Sequence, residues 1–80
     1  MTRDEANAQI AETLLEKVRD DRYPSATQMA YLEELIPRDM LPEYMDVLLE
    51  KLAKDRIPSV PMIQRIQRVA KKLPLIEPSG

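Results

Sequence analysis

Apolar residues recur in four helical stripes along this chain, and each stripe stops short of a proline. Over residues 3–20, Ala6, Ile10, Leu14 and Val18 fall every fourth position, with Ala11 and Leu15 widening the stripe. That spacing predicts an amphipathic helix with one buried face. Thr2 with Glu5 three residues on reads as a reciprocal capping box at its start. Beyond its end, Pro24 holds Tyr23 away from helical backbone angles. A second helix over 26–36 carries Met29, Leu32, Leu35 and Ile36, opened by Ser25 with Gln28 and closed by Pro37. A third, over 41–54, carries Leu41, Met45, Leu48 and Leu52, with Tyr44 and Leu49 beside them. Pro42 is tolerated in its first turn, and Glu43 and Asp46 stand where the helix dipole favours acids. A fourth, over 60–73, carries Met62, Ile63, Ile66, Val69, Ala70 and Leu73 and is stopped by Pro74. The expected fold is all-α: a small four-helix bundle forming one domain over 1–73, with an extended tail over 74–80.

Residues 14–35, LLEKVRDDRYPSATQMAYLEEL, and residues 48–69, LLEKLAKDRIPSVPMIQRIQRV, share eight identities in 22 positions at an offset of 34. The turn reads Asp-Arg-Tyr-Pro-Ser in one copy and Asp-Arg-Ile-Pro-Ser in the other. We therefore expect two pseudo-symmetric helical hairpins, each covering the apolar face of the other. The period equals that of tetratricopeptide repeats, but the Trp, Gly and Phe positions of that pattern are missing, and two copies are too few for a solenoid.

Composition limits what such a bundle does. Eighty residues without Cys, Phe or Trp make a small core from Leu, Ile, Val, Met, Ala and three Tyr, and chains of this length have marginal cores. A homodimer is a reasonable source of further stability. The absence of His and Cys removes the commonest general base and the commonest transition-metal ligands. Neither Asp20–Asp21 nor Glu33–Glu34 puts two carboxylates on one helical face, no glycine-rich loop can cradle phosphate, and the acid spacing does not match a calcium loop. No catalytic residues, metal or cofactor are expected, and no small-molecule substrate. No apolar run approaches a membrane span, and the opening MTRDEANAQI has no apolar core of a secretory leader; cytoplasmic is the default placement.

Charge is uneven: residues 1–40 hold five basic and nine acidic side chains (−4), and residues 41–80 hold seven and five (+2). Gln64, Arg65, Gln67, Arg68, Lys71 and Lys72 form a basic side on the fourth helix, with no acid from Val60 to Ile76. That side is a candidate partner surface. Met40 and Tyr44, at the junction of the hairpins, are candidates for an exposed apolar patch, within a chain whose Met content suits adaptable packing. The turn residues Asp21, Arg22, Pro24 and Ser25, and Asp55, Arg56, Pro58 and Ser59, are expected to act structurally first. In that reading Pro ends one helix, Ser caps the next, and Arg bonds the carbonyls exposed at the preceding helix end.

The functional expectation is a non-enzymatic helical module that binds another protein or a second copy of itself. A second reading is a small DNA-binding regulator using residues 60–73 as recognition helix, since Arg and Gln read guanine and adenine edges; the acidic overall balance argues against it. RYPSATQMAYLEEL and RIPSVPMIQRIQRV also resemble the Pro-punctuated helices of short proteins from actinobacterial phages and their hosts. That resemblance implies no activity, and allows an accessory or assembly role as a third reading.

Overall fold

Small hydroxyl side chains start three of the four helices. Thr2 accepts from the backbone N–H of Glu5 at 3.1 Å, Ser25 from Gln28 at 3.0 Å and Ser59 from Met62 at 3.3 Å, each occupying one of the amides a helix start leaves unpaired. Glu5 does not close the expected box through its Oε1 on the Thr2 amide; the Thr2 hydroxyl donates to that oxygen instead, at 3.2 Å. The computed structural model describes residues 1–57 and 59–74. It contains α1 (Arg3–Asp20), α2 (Ala26–Leu35), a single 3-10 turn (Arg38–Met40), α3 (Leu41–Lys54) and α4 (Val60–Ala70), and no strand among the described residues.

The fold is all-α, as the stripes predict, and two helix ends fall earlier than expected. α2 stops at Leu35 because Ile36, followed by Pro37, takes extended angles (φ −65°, ψ 129°). α4 stops at Ala70, and the next two residues tighten into i→i+3 bonds, from the amides of Lys72 and Leu73 to the carbonyls of Val69 and Ala70. Leu73 precedes Pro74, which disfavours a further α-turn. Pro58 and, of the tail expected over 74–80, residues 75–80 lie outside the described residues.

The 34-residue offset appears in the backbone. α1 and α3 end at Asp20 and Lys54; α2 and α4 begin at Ala26 and Val60. Asp21 and Asp55 both leave the helix in extended conformation (ψ 125° and 133°). The packing does not repeat. Leu15 is buried and its equivalent Leu49 is exposed, whereas Leu14 is half-buried and its equivalent Leu48 is buried. α1 packs on α2, α3 on α4, and α1 also meets α3. α1 and α3 are therefore the inner pair of helices, and α3 buries a broad face of Leu41, Tyr44, Met45, Val47 and Leu48. α1 buries a narrower one, Ala11, Leu15 and Val18. Ile10, expected in that face, is 47% exposed, because the buried line runs through Ala11 and Leu15. α4 buries only Val69 fully; Met62, Ile66 and Leu73 pack against the core half-exposed.

Glu33 of α2 closes the seam between the hairpins. Its Oε2 accepts from the Tyr44 hydroxyl of α3 at 2.6 Å and from Nη1 of Arg65 on α4 at 2.6 Å. Its backbone carbonyl accepts from Lys72 Nζ at 3.3 Å. The Arg65 and Glu33 side chains are only 12% and 15% exposed, so this pair is poorly screened by solvent. A second seam forms where Lys51 Nζ of α3 donates to the carbonyls of Arg19 (3.1 Å) and Asp21 (2.5 Å), a cation at the negative end of α1. Arg19 also pairs with Glu43 at the surface.

Candidate interaction groove

The two Asp-Arg-x-Pro-Ser turns face one another across an open groove of about 600 Å³. The described residues of the two turns share two features. Each turn's Asp leaves the helix extended and its Ser caps the next helix. In the first turn Asp21 Oδ1 also accepts from the Tyr23 amide at 3.0 Å, an Asx turn that fixes the loop. The expected role of the turn arginines is not what the structure shows. The carbonyls at the end of α1 are taken by Lys51, and the Arg22 guanidinium instead lies 5.6 Å from the centroid of the Tyr23 ring. The ammonium reaches those carbonyls from the neighbouring helix, whereas Arg22 finds an aromatic face one residue away.

The variable position of the motif carries the groove's main apolar exposure. Tyr23 is 72% exposed and Ile57, its equivalent in the second turn, is 83% exposed, and both line the groove. Val60 is also exposed at the start of α4. Deeper in the groove lie Met29, which is buried, and Met62, which is half-buried. Isolated exposed hydrophobics are ordinary; these two stand at equivalent positions of the repeat and line one concavity.

The charged lining is almost all of one sign: Arg22, Lys51, Arg56, Arg65 and Arg68 against Asp55. Two of the cations are committed within the fold, Arg65 to Glu33 and Lys51 to the end of α1. Arg22, Arg56 and Arg68 make no ion pair among the described residues. Ala26, the first residue of α2, and Pro61, the second of α4, line the same groove, so positive helix ends add to the field.

The expected partner surface is thus redistributed. Gln64, Arg65 and Arg68 join Arg22, Pro24, Asp55, Arg56 and Ser59 around the groove. Gln67 and Lys71 are exposed elsewhere on the helix, and Lys72 reaches back to Glu33. Met40 and Tyr44 do not form an exposed patch: Tyr44 is 0% exposed and Met40 is half-buried against the core. Tyr44 turns inward because its hydroxyl has a carboxylate to meet there. Burial and the adjacent Glu33 carboxylate push the Tyr44 phenol well above its ordinary pKa of 10.0, so its hydroxyl acts as a proton donor within the seam.

Tyr23, Ile57 and Lys51 are groove residues that periodicity does not single out. The available signal was the motif itself, whose one variable position is apolar in both copies although it falls in a turn. Among the described residues no cluster of three or more His, Cys, Asp or Glu is placed to hold a metal, and no helix is long and apolar enough to cross a membrane. Comparison of the chain with protein-family models, with curated proteins and with solved structures gives no match.

Proposed function

We propose that the protein is a non-enzymatic interaction module that binds another protein in the groove between its two turns. The observation that carries this reading is the pair Tyr23 and Ile57, both largely exposed at equivalent positions on the lip of one concavity. A tyrosine, an isoleucine and arginines around a methionine floor are the side chains protein interfaces favour, and the flexible thioethers adapt to a partner's shape. Reading DNA through α4 draws less support, because Arg65 and Lys72 each direct a donor to Glu33. The test is affinity capture with mass spectrometry, comparing the natural chain with a Tyr23→Ser/Ile57→Ser variant. Proteins retained by the natural chain and lost with the variant are expected. An identical set captured by both would end this reading, and light scattering on the free protein separates self-association from capture.

A further inference from the structure

The groove's charge specifies its occupant more narrowly than its apolar lip does. We infer that the groove takes an acidic segment of a partner protein that carries apolar anchors, a conclusion that rests on the interaction-module reading. Five of the six charged groove residues are basic, and the acid, Asp55, is the residue that follows α3. Arg22, Arg56 and Arg68 are placed around the concavity with no acid paired to them among the described residues. Their fields add across a partly enclosed surface, which raises the local concentration of anionic groups and accelerates their docking. A purely anionic ligand would leave Tyr23, Ile57 and Met62 in water, and a purely apolar one would cover three arginines without satisfying them. A segment with carboxylates flanking leucine- or aromatic-type anchors meets both demands. Arginine forks bind carboxylates in bidentate geometry, and the apolar side chains between them fill the space over Met29 and Met62.

The test is selection from a displayed library of random peptides against the full chain. Three variants run in parallel: Arg22→Glu, Arg56→Glu with Arg68→Glu, and Tyr23→Ser with Ile57→Ser. All of the substituted residues are exposed, and far-UV circular dichroism checks that each variant keeps its helices. The expected result is enrichment of sequences rich in Asp and Glu with interspersed apolar residues. Their affinity should fall about tenfold or more in the arginine variants, a loss of binding free energy measurable by fluorescence anisotropy, and should weaken with added salt. Neutral or basic sequences that still depend on Tyr23 and Ile57 would overturn the acidic specificity and leave the groove as an interaction site. Enrichment indifferent to all three variants, or none, would overturn both. Displacement of the selected peptides by short duplex DNA at equal phosphate and carboxylate concentration would overturn the choice of a protein segment.

Discussion

A single carboxylate oxygen on Glu33 accepts from both Tyr44 and Arg65, side chains that stand 11 and 32 positions further along the chain. The two donors depend on the carboxylate unequally. Glu33→Ala removes the acceptor for both and strands a guanidinium in a site 12% exposed, so a loss of about 3 kcal/mol is expected in chemical denaturation, near the value for breaking a buried pair. Tyr44→Phe removes one neutral donor while Arg65 stays paired, and should cost about 1 kcal/mol. The same phenol makes the fold sensitive to alkali. Its pKa is raised in the folded state, so the folded chain holds that proton more tightly than the unfolded one. The resulting stability is fully present below the unfolded value of 10.0 and is lost as pH rises beyond it. Denaturation midpoints should therefore fall as pH rises above about 10, and the Tyr44→Phe variant should lose most of that drop. None of this seam was legible in the sequence. Glu33 sits beside Glu34 in an ordinary acidic pair, and nothing local reveals a partner thirty residues away.

Helix boundaries, by contrast, were legible because they depend on neighbours a few positions apart. Thr2, Ser25 and Ser59 act as caps where the sequence places them, and Pro37 ends α2 through the residue before it, whereas α4 stops at Ala70, short of Pro74. Replacing Ser25 or Ser59 with Ala should each cost about 1 kcal/mol in thermal or urea unfolding. Similar losses from the two sites would show that the repeated turns act as equivalent starts. What periodicity missed is how far each helix is turned about its own axis. The stripe through Ile10 and the position of Leu49 looked as apolar as their buried neighbours, yet Ile10 and Leu49 face outward while Val47 faces in. An apolar stripe wider than the available core leaves its edge exposed, and the choice of edge is made by the neighbouring helix. The groove was illegible for the same reason: it exists only because two distant turns are set side by side.

At the scale of the molecule the bundle is thin, with extents of 42 × 31 × 18 Å and a radius of gyration of 13.0 Å, against about 12 Å for an average domain of this length. A flattened shape has few positions shielded on all sides, and among the described residues the largest fully buried side chains are Tyr44, Leu32, Leu48, Val18 and Val69. Total stability for this length is expected at about 4–12 kcal/mol. Leu48→Ala at the centre of α3 should cost about 2–5 kcal/mol, a large share of that total, read as a lower midpoint of urea unfolding followed by circular dichroism. A ligand seated in the groove would oppose that loss by mass action.

Lys51 reaches across to the end of α1, whereas its equivalent, Lys17, is exposed on the surface and makes no such bond. Each half of the chain is thus a lock for which only the other half is the key. Separate peptides of residues 1–40 and 41–80, mixed in equal amounts, should combine with one another and recover helicity, while either peptide alone stays largely uncoiled.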